Sequence, residues 1–165
     1  MKQVTPAAAN KLVRKLEDEK NYLISMMNEV STYIEAEGVE PVIPEFNYED
    51  TIGEILAIDE KIAKIKHQIN IFNTSTTIPE IGITVDQALV KMAQLNHLKN
   101  YIDRMRKRQK KCRYNTLAGT IIQYECVNYD IEKTKVDYEK ISNEIIEIQM
   151  GLDKCNQTIT FDLDI

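Results

Sequence analysis

Six apolar residues, Ile55, Ile58, Ile62, Ile65, Ile69 and Phe72, follow one another at steps of three, four, three, four and three. That alternation keeps one stripe of a helix turned toward a partner helix, the knobs-into-holes pattern of a coiled coil. It fixes a long helix over about residues 50–73 and demands something apolar to cover the stripe. The rest of the chain has to supply that cover.

Three further stretches carry related spacing. Ala9, Val13, Leu16, Leu23, Met27, Val30 and Ile34 form a seam with Lys20 as its polar exception. Thr5-Pro6 suits the start of this helix, a hydroxyl cap followed by the residue best tolerated in the first turn, and Gly38 suits its stop. Val85, Ala88, Met92 and Leu95 lead to Leu98, Ile102 and Met105, where the step from 95 to 98 reads as a stammer. Thr84, with Gln87 three residues on, makes a capping box at its start. Ile131, Thr134, Tyr138, Ile141, Ile145, Ile148, Leu152 and Cys155 complete the set behind an N-capping Asp130.

The expected helices span about 6–37, 50–73, 84–112 and 130–156. Short connections between long helices favour antiparallel neighbours. The fold class is therefore mainly all-α, one domain over 1–165, an elongated antiparallel helical bundle or coiled coil. The strictness of the seams further points to a homo-oligomer built through them.

Between the helices the chain changes character. Residues 39–48 contain Pro41 and Pro44 and read as an extended connector. Asn73 to Thr77 is polar throughout, and Pro79 with Gly82 punctuates a short turn or hairpin. Residues 117–129 and 158–165 are rich in alternating β-branched and aromatic positions. They are expected to pair as a small two-stranded β element, about 120–128 with 158–164.

Hydrophobic residues make up 43% and charged residues 28%, the balance of a folded chain. A net charge of −5 is not that of a globally basic nucleic-acid binder. Cys112, Cys126 and Cys155 are too widely spaced for a disulfide framework or a metal-binding pair, and read as reduced thiols. No segment resembles a signal peptide or a membrane span, so the expected location is the cytoplasm.

The most unusual chemistry lies at 104–113, where Arg104, Arg106, Lys107, Arg108, Lys110, Lys111 and Arg113 make seven of ten residues basic. Such a run suits an anionic partner: an acidic protein, a lipid or a nucleic acid. Charges this dense need an offset, and the expected source is the acids of the fourth helix, among them Asp130, Glu132, Asp137, Glu139 and Glu144, or a neighbouring subunit. Tyr114 is the single aromatic at its edge able to stack on a base. His67 and His97 read as surface histidines, since two imidazoles alone make a poor metal site. No phosphate loop, nucleophile elbow or metalloprotease motif is present. The chain is thus expected not to be an enzyme and to need no cofactor or metal.

The stretch Ile69-Asn70-Ile71-Phe72-Asn73-Thr74-Ser75-Thr76, followed by Ile81-Gly82-Ile83-Thr84-Val85-Asp86-Gln87-Ala88-Leu89, resembles the septicolysin-like family of small bacterial proteins. That family's pattern is matched at Asn70, Asn73, Thr76, Thr84, Ala88 and Leu89, with Gln87 in place of an acidic residue. Arg113-Tyr114, the strand-like segment and the last helix follow in the family's order. Asn115-Thr116-Leu117 and Ala93 stand where the family has other residues. The resemblance implies a helical protein of undefined activity. The combined expectation is a self-associating helical interaction or scaffold module with a basic patch. A membrane-active lysin and a nucleic-acid binder are the alternatives.

Overall fold

The computed structural model describes residues 2–114 and 121–164. Four long helices dominate it: α1 (Pro6–Val30), α2 (Tyr48–Ser75), α3 (Val85–Arg106) and α4 (Ile131–Thr158). Four short strands accompany them, β1 (Lys2–Val4), β2 (Lys111–Tyr114), β3 (Gln123–Cys126) and β4 (Phe161–Leu163). The chain divides into two compact units, Met1–Thr76 with Lys154–Ile165, and Thr77–Asp153.

In the first unit α1 and α2 form an antiparallel hairpin, with Lys20 beside Asp59 and Glu17 beside Lys66. The isoleucine stripe of α2 is covered by α1. Ile58, Ile62, Ile65 and Ile69 are buried with Ala9 and Val13, flanked by Leu12, Leu16 and Leu23. A buried Ile contributes about 1.5–3 kcal/mol, so this seam is the main stabilising feature of the unit. The α2 stripe is thus covered within one chain. Lys20, the polar exception, sends Nζ to both carboxylate oxygens of Asp59 at 2.7 and 2.8 Å. A polar pair in an apolar seam fixes register at a cost in stability.

α1 ends at Val30, short of the expected 37. Ser31, Thr32, Tyr33 and Ile34 are poor helix formers, and the Ser31 hydroxyl turns back toward the Asn28 carbonyl at 3.5 Å. Gly38 serves a later turn with φ +78°, closed by the Val39 N–H donating to the Ala36 carbonyl.

The strand pairing differs from the expected one. Segment 158–164 does not pair with 120–128. Instead β4 pairs antiparallel with β1, Lys2 opposite Leu163 and Val4 opposite Phe161. β3 pairs with β2, Lys111 opposite Cys126 and Tyr114 opposite Gln123. Residues 115–120, which include the start of the expected strand and the Asn115-Thr116-Leu117 departure, lie outside the described residues. Leu163 is 1% exposed within the α1/α2 core, and Phe161 meets Phe72 with ring centroids 5.4 Å apart. The sheet thus adds an apolar lid to the first unit.

In the second unit Thr77 to Thr84 makes a tight loop. The Ile78 N–H donates to the Ile83 carbonyl and the Gly82 N–H to the Ile78 carbonyl, both at 2.8 Å. Gly82 has φ +76° there. The loop buries Ile78 completely against α4, where only Gly151 allows the approach: a Cβ on Gly151 would lie 2.8 Å from Ile78 Cγ2. Val85, Ala88, Ile148 and Leu152 complete this small core.

The stammer in α3 is absent. Leu98 is exposed, and the half-buried stripe runs Met92, Leu95, Lys99, Ile102 and Arg106 in unbroken three–four steps. Sequence patterning skipped Lys99 and Arg106 because they are cations. They keep the seam position by stacking on an aromatic ring.

Candidate anion-binding hairpin

α3 stops at Arg106 rather than at 112. Lys107 closes the helix as C-cap, and after a turn the chain enters β2. Like charges one turn apart destabilise a helix, and the basic run would stack them along one face if it continued. The run therefore divides into a helical part, a turn and a strand.

In the helical part the cations are engaged. Asp103 accepts from the Arg106 guanidinium at 2.6 Å and from the Lys107 ammonium. The hydrogen bond from Lys107 first, then that from Arg106, holds the Asp103 carboxyl below its ordinary pKa. Asp103 in turn raises that of Arg106. The Arg106 guanidinium also lies 3.9 Å from the ring centre of Tyr138 on α4, and Lys99 approaches the same ring at 5.2 Å. Arg104 stacks on Tyr101 at 4.7 Å, one turn back on its own helix.

Among the described residues the acids that pair with the run are Asp103 and Glu125, and no acid of α4 does so. Among the described residues, the ion pair between α3 and α4 is Lys91 with Glu144, away from the run. What α4 gives the run is an aromatic face. Tyr138 sat in the sequence as a seam position, and its spacing alone did not mark it as a cation platform.

The hairpin sorts the remaining charges by face. Alternate residues of a strand project to opposite sides, and cross-strand partners share a side. Lys111, Arg113, Tyr124 and Cys126 therefore share one face, with Lys111 Nζ 4.2 Å from the Tyr124 ring centre. Cys112, Tyr114, Gln123 and Glu125 share the other. There Arg108 meets Glu125 at 3.5 Å, and the Cys112 thiol lies 3.8 Å from the same carboxylate. Tyr129 donates its hydroxyl to the Met105 carbonyl at 2.8 Å, and the Val127 N–H donates to the Lys110 carbonyl. The first bond ties the hairpin to the end of α3, and the second extends the hairpin ladder by one step.

Among the described residues Lys110, Lys111 and Arg113 have no carboxylate within ion-pairing distance. They are exposed, as are Tyr114 and Tyr124. Sequence reading assigned Tyr114 alone to this surface. Tyr124 was read only as a strand residue, and the register is what sets it beside Lys111 and Arg113.

The polar motif behaves as helix-end chemistry. Thr76 is the C-cap of α2, its N–H donating to the Phe72 carbonyl. Thr84 and Gln87 form a reciprocal capping box at 3.2 and 3.0 Å. Asn70 is exposed and Asn73 half-buried. His67 is exposed, and His97 packs on Tyr101 with centroids 5.1 Å apart. No group of three or more His, Cys, Asp or Glu side chains suited to a metal occurs among the described residues. None of their helices is long and apolar enough to cross a membrane.

No protein-family model matches the chain, and no curated protein does. It is similar in structure to a functionally unknown conserved protein from Corynebacterium diphtheriae, with a TM-score of 0.65 and 15% sequence identity. The match covers 98% of this chain and 100% of that one. At this identity the likeness is one of fold.

Proposed function

We propose that this protein is a non-enzymatic, self-associating helical interaction module of the cytoplasm, in which the β2/β3 hairpin receives an acidic polypeptide. Membership of the septicolysin-like family belongs to the same reading and is supported by the 69–89 motif. The observation that carries the proposal is the sorting of charge on the hairpin. Lys111 and Arg113 lie beside exposed Tyr124 on one face, with Lys110 adjacent and no acid pairing them, while Arg108 is already matched by Glu125 on the other.

An acidic polypeptide suits this surface better than a nucleic acid. Three cations without acidic partners make a small footprint for a polyphosphate, and the net charge of −5 repels one at long range. Carboxylates among apolar side chains match the mixture of lysine, arginine and tyrosine.

The test is fluorescence anisotropy with a labelled oligoglutamate, at low and moderate salt. Wild type is expected to bind, and Lys110→Glu/Lys111→Glu/Arg113→Glu to lose about tenfold or more, each exposed pair being worth about 0.2–1 kcal/mol. Unchanged binding by that variant would remove the hairpin as the site. Oligothymidylate or phosphatidylserine vesicles binding more tightly than oligoglutamate would replace the acidic polypeptide with that partner.

A further inference from the structure

The charge of this chain is divided between its two units in a way that the net value hides. From Asn21 to Glu60 there are ten acids and not one Lys, Arg or His. With 26 acids and 21 bases in the whole chain, the remaining residues hold 16 acids against those 21 bases. The acidic stretch is the distal half of the α1/α2 hairpin and the connector that joins the two helices. The basic excess includes the β2/β3 hairpin of the other unit.

The acidic connector is also apolar and uncovered. Ile34 is 94% exposed, Val42 90% and Ile43 62%. Among the described residues Glu35, Glu37, Glu40 and Glu45 have no cation within ion-pairing distance. Isolated exposed apolar residues are ordinary, but several in one short segment mark a surface meant to be covered. The basic hairpin has the same mixture with the opposite sign: Ile121 is 75% exposed and Ile122 59%, just before β3, on the same hairpin as Lys110, Lys111 and Arg113. Each surface has what the other lacks.

We infer that the acidic polypeptide received by the β2/β3 hairpin is the 31–50 connector of a second copy of this chain. The inference rests on the reading of the hairpin given above. The contact is heterologous, one patch on a different patch, so a pair of chains keeps one unused connector and one unused hairpin. Charge pairing among apolar neighbours sets its orientation, and burial of Ile34, Val42 and Ile43 with Ile121 and Ile122 supplies the non-ionic part.

The experiment is a charge swap read by light scattering on the full chain. One variant carries Glu35→Lys/Glu37→Lys/Glu40→Lys, the other Lys110→Glu/Lys111→Glu/Arg113→Glu. All six positions are exposed, and unchanged circular dichroism checks that both variants fold. Wild type is expected to show a mass that rises with protein concentration and falls as salt is added. Each variant alone is expected at monomer mass, since its two surfaces have like charge. Their equimolar mixture regains the higher mass, because each reversed surface meets its opposite. A wild type that stays monomeric while binding oligoglutamate overturns this inference and leaves the hairpin reading intact. Failure to bind oligoglutamate overturns both. Association that persists in both single variants, or a mixture that stays monomeric, places any self-contact elsewhere.

Discussion

Alanine at two helical glycines should change stability in opposite directions. Gly53 in α2 has open space where a Cβ would go, whereas at Gly151 in α4 a Cβ would meet Ile78 Cγ2 at 2.8 Å and Ile81 Cδ1 at 3.0 Å. In a helix interior glycine is about 0.8–1.0 kcal/mol less favourable than alanine, so Gly53→Ala is expected to stabilise by about 1 kcal/mol. The same gain is available at 151, but carbon atoms in contact prefer about 3.5–4.0 Å. Ile81 can yield, being half-buried and touched at the end of its side chain. Ile78 cannot, since it is fully buried and its backbone is held by the 2.8 Å bonds of the 77–84 loop. Overpacking of this kind costs about 1–3 kcal/mol. The net for Gly151→Ala is a loss of about 0–2 kcal/mol, and the two variants should differ by about 1–3 kcal/mol. Urea denaturation followed by far-ultraviolet circular dichroism measures this directly. Ile78→Ala alone should cost about 2–5 kcal/mol, and the double variant with Gly151→Ala less than the sum, because the new methyl occupies vacated space. If Gly151→Ala raised the midpoint as much as Gly53→Ala, the close packing of the loop on α4 would be refuted.

Three other outcomes can be checked in the same way. Leu163→Ala should destabilise the first unit by about 2–5 kcal/mol, because Leu163 is buried in the α1/α2 core, and native-state proteolysis should then open residues near β1 first. Ser142→Ala should stabilise by about 1 kcal/mol in thermal melts, since the buried Ser142 hydroxyl has no hydrogen-bond partner among the described residues; a loss of stability would mean that it has one. Asp103 has a lowered pKa in the folded chain, so its contribution is present above its unfolded pKa and fades as pH falls through the folded value. Asp103→Asn should flatten stability against pH in that acidic window, and an unchanged slope would argue against the bonds from Lys107 and Arg106.

Much of the helical framework was legible because its signals are local and repeated. The α2 seam emerged residue for residue, as did the α4 seam and the Thr84–Gln87 box. What was not legible depended on partners distant in sequence. Lys99 and Arg106 looked like interruptions of a seam, since their place in it requires a ring from α4. The strand-like segments 120–128 and 158–164 both carry β character, but nothing in the alternation says with which strand each pairs. β4 found β1, a three-residue strand at Lys2–Val4 with no pattern of its own. The early end of α3 follows from charge density together with a hairpin that only the register reveals. The candidate site was therefore half visible: the cations could be read, while Tyr101, Tyr124 and Tyr138 and the face-by-face sorting could not.

The pairing of β1 with β4 has a consequence for how the protein is made. Residues 2–4 leave the ribosome long before their partners at 161–163. Helices α1 and α2 can zip together at once through neighbouring sequence, but the base of their seam waits for Leu163. Until Leu163 emerges, Ala9, Val13 and Ile65 have an unfinished lid, and the nascent hairpin stands open at the end where it will be closed. Closing the long loop between β1 and β4 then follows the zipping of α1 and α2, and its entropy cost falls on a hairpin already formed.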